Sequence, residues 1–272
     1  MGKFSGILLC TDLDGTLYRN DKTVSDENLD AIEYFKNKGG LFTFITGRVP
    51  KTSSKVCEII KPNAPYGCIN GAGIYDPVRE KYLWTAFLNS DVAELVDSVS
   101  IQMPQIGIQA NLENDVYFIK DNDAMVHFRL VTGLPNVSKN FEDIKEPILK
   151  IVFAHENEEQ ILKLEKFLNG HAKAEKFDFI RSERRLYEIL PKGTSKGALL
   201  LKLADLLGVD RKKTIAVGDY DNDISMIECA GVGFAVSNAR DCVKIVADRI
   251  TVSNEENAIA SIIDELDKGK IL

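Results

Sequence analysis

The sequence predicts an α/β protein in which a doubly wound, parallel-sheet core is interrupted by an inserted α+β domain. Short apolar runs alternate with longer amphipathic segments at both ends of the chain, which is typical of β-α units that form a parallel sheet. In the middle, predicted strands follow one another without an intervening helix, which indicates antiparallel pairing. We therefore expect both ends of the chain to form one domain and the middle to form another.

The start of the chain predicts a β-α-β-α-β unit. The first strand lies within Phe4–Thr11, where the run Ile7-Leu8-Leu9-Cys10 is typical of a strand buried on both faces. A helix follows, because apolar residues recur at helical spacing between a capping residue, Ser25, and the Gly39-Gly40 pair. The remaining elements of this unit are strand Leu41–Ile45, helix Lys51–Ile60 and strand Tyr66–Ile69. This order predicts right-handed crossovers and parallel strands.

The middle of the chain, from about residue 84 to residue 188, has a different order of elements. The predicted helices are Asp91–Gln102, Asp123–Val131 and Glu158–Asn169. The predicted strands are Ile106–Ala110, Asp115–Ile119, Ile148–Phe153, Ala174–Arg181 and Leu186–Leu190. Because several of these strands are adjacent in sequence, we interpret 84–188 as an inserted α+β domain and assign 1–83 and 189–272 to the core.

The β-α order returns toward the end of the chain. Ser195 is predicted to cap a helix that extends through Leu206 and stops at Gly208. The elements that follow are strand Thr214–Val217, helix Asn222–Ala230, strand Val232–Val236, helix Arg240–Val246 and helix Glu255–Leu266. These elements extend the predicted parallel sheet of the core.

Composition excludes several classes of protein. The 272 residues contain 34 Lys and Arg against 41 Asp and Glu, and the net charge of -7 argues against a nucleic-acid polymer or an anionic membrane as partner. The five cysteines are widely spaced and never form C-x-x-C, which argues against a disulfide framework or a zinc–thiolate site and favours the cytoplasm. No run approaches the ~20 apolar residues that a membrane helix needs. The oligomeric state is left open.

Two acidic clusters follow predicted parallel strands. Asp12 and Asp14 come after the first strand and project to the same side of an extended chain, and Gly15 allows a sharp turn behind them. A second cluster, Gly218-Asp219-Tyr220-Asp221-Asn222-Asp223, follows strand Thr214–Val217. Carboxylates at two strand ends, without histidine or cysteine, favour Mg²⁺, which binds oxygen ligands and also engages substrate phosphate.

Two further segments fit a bound phosphate. Thr46 and Gly47 end the second strand and offer a hydroxyl donor and a backbone N–H that an oxyanion can approach closely. Lys196 lies at the start of a predicted helix, where a positive side chain opposes the helix dipole, and such conflicts are expected at functional sites. Each feature alone also has a structural explanation: a capping cluster for D-x-D, a cap for Thr46 and a solvated side chain for Lys196.

Taken in order along the chain, these segments resemble the four motifs of the haloacid dehalogenase superfamily. The first motif corresponds to Asp12-Leu13-Asp14-Gly15-Thr16-Leu17, and the second is the strand-ending Thr46. The third is Lys196, and the fourth is the G-D-x-x-N-D segment that begins at Gly218. The resemblance extends over the whole chain.

More narrowly, the chain resembles Cof-type phosphatases, which carry a large C2-type α/β cap between the second and third motifs. The block 84–188 lies where this cap belongs, so the resemblance implies a Rossmann-like core and an inserted cap. Asn70-Gly71-Ala72 is also similar to an N-G-A segment of the family. Tyr220 departs from the pattern, because many relatives have a smaller residue at this position.

The resemblance also implies roles for individual residues. Asp12 would be the nucleophile that forms an aspartyl-phosphate, and Asp14 would be the general acid and base. Mg²⁺ would lie on Asp12, the backbone carbonyl of Asp14, and Asp219, while Asp223 would support Lys196. The residues that would bind the substrate phosphate are Leu13, Thr46, Gly47, Lys196 and Asn222.

The function implied is that of a Mg²⁺-dependent phosphatase acting on a small soluble phosphorylated metabolite such as a sugar phosphate. Two alternatives use the same nucleophile. A phosphomutase would return the phosphoryl group to a substrate, whereas a non-catalytic receiver-like module would use the phosphorylated aspartate to change partner binding. Two features argue against the receiver-like module: Asp14 is positioned as a general acid and base, and the inserted cap is large.

Overall fold

The computed structural model describes residues 2–271, which divide into two compact units. The first unit combines the start of the chain through Gly47 with Ser53–Trp84 and the segment from Ser195 onward. The second unit consists of Arg48–Thr52 and Thr85–Thr194. The two terminal residues, which the prediction assigns to the core, lie outside the described part of the chain. The domain boundaries 1–83, 84–188 and 189–272 remain predictions from the sequence.

Strands and helices are numbered in chain order. The strands are β1 (Leu8–Thr11), β2 (Leu41–Phe44), β3 (Tyr66–Cys68), β4 (Gly73–Asp76), β5 (Lys81–Thr85), β6 (Gly107–Asn111), β7 (Val116–Lys120), β8 (Lys150–Ala154), β9 (Phe177–Glu183), β10 (Leu186–Pro191), β11 (Thr214–Gly218), β12 (Val232–Ala235) and β13 (Arg249–Ile250). The helices are α1 (Asp26–Asn37), α2 (Pro50–Ile60), α3 (Val92–Gln102), α4 (Asp123–Thr132), α5 (Glu158–Asn169), α6 (Lys196–Leu207), α7 (Ile224–Cys229), α8 (Asp241–Val246) and α9 (Ala258–Asp267).

A five-stranded parallel sheet organises the first unit, with strand order β13-β12-β11-β1-β2. Strand β1 lies between β11 and β2, and its last residue, Thr11, pairs with Val217 of β11 on one side and Phe44 of β2 on the other. The carboxyl ends of these three strands therefore lie next to one another at one sheet edge. The predicted α/β class with a parallel-sheet core is confirmed.

Helix α6 is fixed at both ends and packs against this sheet. The Ser195 side chain accepts a hydrogen bond from the backbone N–H of Ala198 at 3.1 Å, and Gly208 ends the helix in the left-handed conformation, as predicted. Three of its leucines, Leu199, Leu200 and Leu203, belong to a buried cluster with residues of β1 and β11. Because α6 begins at Lys196, this packing determines where the lysine side chain enters the unit.

Several predicted elements differ from the structure near β3. Strand β3 was expected to continue the parallel sheet, but it pairs antiparallel with β4. A single parallel bridge joins its Gly67 to Ile45, the residue after β2. The hairpin of β4 and β5 was not predicted, and it forms a separate three-stranded sheet with β3. Residues of β5 are half-buried at most, and its apolar run, Tyr82-Leu83-Trp84, is shorter than the runs by which buried strands are recognised.

Three predicted elements begin too early, because in each the first residues form a short 3₁₀ turn instead of the helix or strand. The predicted helix from Asn222 is a 3₁₀ turn followed by α7. The predicted helix from Glu255 is broken at Asn257, whose φ of 64° is left-handed. Helix α9 therefore begins at the next residue, Ala258. The predicted strand from Ala174 opens with a 3₁₀ turn, and β9 begins at Phe177.

The second unit is built on a five-stranded antiparallel sheet with the order β7-β6-β8-β10-β9. Buried apolar residues of α3 and α5 pack with those of the sheet strands in one cluster. The antiparallel pairing predicted for the middle of the chain is confirmed. Within the described residues, no helix is both long and apolar enough to cross a membrane.

The packing of α6 predicts different costs for two leucines of this helix. Leu200 is completely buried, whereas Leu206 is 53% exposed. We expect Leu200→Ala to lower the free energy of unfolding by about 3 kcal/mol, because the deletion leaves a cavity. Leu206→Ala is expected to change it by less than about 0.5 kcal/mol. Urea denaturation of both variants measures the difference, and equal losses would contradict the proposed packing of α6.

Candidate active site

The centre of the site is a buried lysine between two carboxylates. The Lys196 Nζ atom lies 2.6 Å from Asp12 Oδ1 and 2.6 Å from Asp223 Oδ1, and its side chain is 1% exposed. Asp12 follows β1, and its backbone N–H donates to the carbonyl of Val217 at 2.9 Å, which extends the pairing with β11. Three segments that are distant in sequence therefore meet at one ammonium group.

Asp223 also holds the loop that follows β11. Its Oδ2 atom accepts hydrogen bonds from the backbone N–H groups of Asp219 at 3.0 Å and Tyr220 at 3.1 Å. Gly218 permits this return of the chain, because a Cβ atom at that position would lie 2.4 Å from the Asp223 Cβ. The spacing of the G-D-x-x-N-D motif thus follows from the turn: the last aspartate closes the loop and contacts Lys196.

Asp219 connects the fourth motif with the first. Its Oδ1 atom accepts a hydrogen bond from the Thr16 hydroxyl at 2.7 Å. Gly15 has a φ of +83°, and a Cβ atom there would lie 2.5 Å from Asp219 Oδ2. Glycine is therefore required for two reasons, the left-handed backbone and the close approach of a carboxylate.

The loop that carries Asp219 is further held by Arg240. The Arg240 backbone N–H donates to the Asp219 carbonyl at 3.0 Å, and its guanidinium forms an ion pair with Asp221 at 2.5 Å. The same guanidinium lies over the Tyr220 ring, 4.9 Å from its centre. Tyr220, the departure from the family pattern, thus has a structural contact as partner of Arg240.

Burial strongly affects the charges of this cluster. Burial raises the pKa of Asp12 from 3.8 to about 7 even though Lys196 opposes this change, and burial likewise raises the pKa of Asp219 well above its usual range. Burial lowers the pKa of Lys196, but the Asp12 and Asp223 carboxylates outweigh it and hold the pKa above its ordinary value. Full ionisation of these three crowded carboxyl groups would therefore leave an excess of negative charge over the one ammonium.

This excess charge and the donor atoms fit a divalent cation. Oxygen atoms of Asp12, Asp219 and Asp223 lie within 4.8 Å of one another. All of them are carboxylate oxygens, which Mg²⁺ prefers over nitrogen or sulfur ligands. Both oxygens of Asp223 already accept hydrogen bonds within the protein, in keeping with its predicted supporting role. The residues that are present therefore suit the cation predicted from the sequence.

The predicted phosphate-binding residues Thr46, Gly47 and Asn222 are linked through Asn70. The Asn222 side chain donates to Asn70 Oδ1 at 3.0 Å, and the Asn70 backbone N–H donates to the Thr46 carbonyl at 3.0 Å. Gly47 lies against the Asn70 side chain. Asn70 was noted in the sequence only as part of an N-G-A segment, without a role. Its left-handed φ of 52° is unusual for a residue other than glycine and fits a constrained position at a site.

Asp14 and Leu13 have very different environments. Leu13 is fully buried, and its carbonyl accepts a hydrogen bond from the backbone N–H of Tyr18 at 2.8 Å. Asp14 is partly exposed, and its Oδ1 atom lies 2.9 Å from the Nζ atom of Lys22. Sequence reasoning did not identify Lys22, since a lysine eight residues after an aspartate carries no local signal of contact.

Comparison with known proteins identifies the family. Residues 9–263 match the family model described as haloacid dehalogenase-like hydrolase. This chain is a haloacid dehalogenase-like hydrolase. The resemblance to Cof-type phosphatases stated from the motifs is confirmed.

Relatives of this hydrolase match it over nearly its whole length. The 5-amino-6-(5-phospho-D-ribitylamino)uracil phosphatase YitU of Bacillus subtilis is 31% identical over 262 residues, covering 95% of this chain and 96% of that protein. The structure of a haloacid dehalogenase-like hydrolase from Bacteroides thetaiotaomicron is similar with a TM-score of 0.83 at 24% identity, covering 96% and 99% of the two chains. That of a HAD subclass IIB sugar phosphatase has a TM-score of 0.84 at 20% identity, covering 96% and 99%. The structural likeness supports the fold of this hydrolase.

Removing the Lys196 ammonium should lower the stability of the hydrolase. Lys196→Met leaves buried carboxylates without their cation, so we expect the free energy of unfolding to fall by about 3–5 kcal/mol in metal-free buffer. A carboxyl group with a higher pKa in the folded state binds its proton more tightly there, so acidification favours folding. The loss should therefore be largest above pH 7, the approximate pKa of Asp12, and smaller at pH 5.

Denaturant unfolding at both pH values tests this expectation. Lys268→Met is the control, because Lys268 forms an exposed ion pair with Asp264 at 2.6 Å, and it should change stability little at either pH. A loss for Lys196→Met that does not depend on pH would contradict the electrostatic explanation.

Proposed function

We propose that this hydrolase is a Mg²⁺-dependent phosphatase that cleaves small soluble phosphomonoesters through an aspartyl-phosphate. The observation that carries the proposal is the contact of Lys196 with Asp12 and Asp223 at 2.6 Å each. A carboxylate can attack an anionic phosphate only where positive charge offsets their repulsion. The buried ammonium provides this charge beside Asp12, and the neighbouring carboxylates suit a cation that adds more.

The proposed reaction has two steps that balance in atoms and protons. Asp12 attacks phosphorus and forms a P–O bond, the bond to the leaving oxygen breaks, and Asp14 donates a proton to that oxygen. Asp14 then removes a proton from a water molecule, which attacks the aspartyl-phosphate and releases inorganic phosphate. Both aspartates return to their starting states, so the enzyme turns over.

The other predicted residues would bind and orient the phosphate. We assign the substrate oxygens to the Leu13 and Gly47 backbone N–H groups and to the side chains of Thr46, Lys196 and Asn222. Mg²⁺ would be held by Asp12, the Asp14 carbonyl and Asp219, with Asp223 supporting Lys196. When bound, the cation neutralises negative charge on the phosphate oxygens.

The substrate we propose is a phosphorylated metabolite such as a sugar phosphate. The name of the Bacillus subtilis relative that is 31% identical specifies a phosphorylated ribityl compound, which belongs to this chemical class. We assign the inserted cap to 84–188 and the protein to the cytoplasm. In support of a reducing compartment, the five cysteines are free thiols.

Replacement of the nucleophile gives the first test of this function. Asp12→Asn should abolish turnover of p-nitrophenyl phosphate, with a loss of at least about 10³-fold, because an amide cannot form the intermediate. Asp264→Asn, an exposed substitution outside the site, should keep wild-type activity. Release of inorganic phosphate is measured, and circular dichroism verifies the fold. Wild-type turnover by Asp12→Asn would exclude this nucleophile.

Product analysis of a sugar phosphate distinguishes the alternatives. Inorganic phosphate supports hydrolysis, whereas an isomer without phosphate release supports a phosphomutase. A long-lived aspartyl-phosphate with negligible turnover would instead support the receiver-like module.

Metal removal gives a second test with two readouts. EDTA should suppress phosphate release, and added Mg²⁺ should restore it, because the carboxylate cluster then regains its counter-charge. Calorimetry should detect Mg²⁺ binding to the wild type and a binding constant at least about tenfold weaker for Asp219→Asn, since a ligand charge is lost. Full activity after rigorous chelation would contradict the proposed Mg²⁺ dependence.

A further inference from the structure

The turn after the first motif brings a lysine to Asp14. Lys22 Nζ lies 2.9 Å from Asp14 Oδ1. The Lys22 backbone is left-handed, with a φ of 65°, and its N–H donates to the Arg19 carbonyl at 2.9 Å. The Arg19 N–H in turn donates to the Thr23 carbonyl at 2.9 Å. These two backbone hydrogen bonds define the turn from which the lysine side chain reaches back to the first motif.

This turn is held in place by residues from the end of the chain. The Asn238 side chain donates to the Gly15 carbonyl at 2.8 Å, and the Asn254 side chain donates to the Tyr18 carbonyl at 2.9 Å. Glu255 accepts from the backbone N–H of Asn20 at 2.7 Å. The backbone between Asp14 and Lys22 is therefore fixed at three points, and the approach of the ammonium to Asp14 is determined by this framework.

The ion pair itself contributes little to folding. The Lys22 and Asp14 side chains are 53% and 34% exposed, and ion pairs at such exposure are screened by water and add little stability. What the contact does is restrict the Asp14 carboxyl group. With one oxygen fixed by Lys22, the side chain samples fewer orientations beside the nucleophilic Asp12.

We propose that Lys22 is a positioning residue that orients Asp14 for proton transfer to the leaving oxygen. The inference rests on the proposed phosphatase function and on the role of Asp14 in it. In the first step, the P–O bond to the leaving group breaks while Asp14 gives its proton to that oxygen. Lys22 exchanges no proton in this step: its ammonium donates to Asp14 Oδ1, and the proton that is transferred is carried by Oδ2.

A series of aryl phosphates of nearly equal shape tests this inference. p-Nitrophenolate leaves readily without a proton, whereas phenolate and p-methoxyphenolate need one, so only the latter two depend on an oriented acid. For Lys22→Met we expect kcat to fall about tenfold with phenyl phosphate and less than about threefold with p-nitrophenyl phosphate, with KM unchanged. Asp14→Asn should show a still steeper dependence on the leaving group.

Two further variants separate positioning from general effects. Lys22→Arg keeps a cationic donor and should restore the wild-type dependence on the leaving group. Lys3→Met removes an ion pair of nearly the same length and exposure, Lys3 with Asp267 at 2.7 Å with side chains 49% and 34% exposed, and should match the wild type. Equal melting temperatures for all variants are expected.

Two outcomes would overturn the inference. They are an equal fall of kcat for every phosphate in the series, and unchanged kinetics in Lys22→Met. Failure of the underlying function is recognised separately. If Asp12→Asn retains phosphate release, the proposed mechanism is wrong; if Asp12→Asn is inactive and Lys22→Met shows no leaving-group dependence, only the role of Lys22 is wrong.

Discussion

The site depends on one buried ammonium group that contacts two carboxyl groups from different parts of the chain. Lys196 joins the end of β1, through Asp12, to the loop after β11, through Asp223. Asp223 uses its second oxygen to hold the backbone that presents Asp219. The position of the lysine depends in turn on the apolar packing of α6. Core packing, loop geometry and local charge are therefore parts of one arrangement, and a change in any of them alters the others.

The sequence predicted the fold class and the location of the motifs because both follow from local patterns. Buried apolar runs indicate parallel strands, and polar residues directly after such strands lie at the ligand-binding edge of the sheet. Asp12 and Asp219 were placed at this edge for that reason. Their proximity was implied only by the family resemblance, because the order of elements along the chain does not determine that β1 lies next to β11.

Other features depend on packing and on unusual backbone conformations, which leave little trace in a single sequence. Taken alone, Lys196 was more readily interpreted as a solvated lysine, because its burial results from the docking of α6. Asn70 and Lys22 have left-handed backbones, a conformation expected for glycine and costly for other residues, so a propensity argument places neither in a site. The strands β4 and β5 were missed because their apolar runs are only two and three residues long, Ile74-Tyr75 and Tyr82-Leu83-Trp84.

The pairing of β1 with β11 also has a consequence for the order of events during protein synthesis. Asp12 and Lys196 are 184 residues apart, and the second unit consists mostly of the continuous segment Thr85–Thr194 between them. When that segment has just emerged from the ribosome, β1 can pair with β2, but Lys196 and β11 are still inside the exit tunnel. At that stage the nascent chain exposes Asp12 without the countercharge of Lys196. The second unit, which is mostly one continuous segment, can fold before the five-stranded sheet is complete. The contact between Lys196 and Asp12 forms only after the start of α6 has emerged.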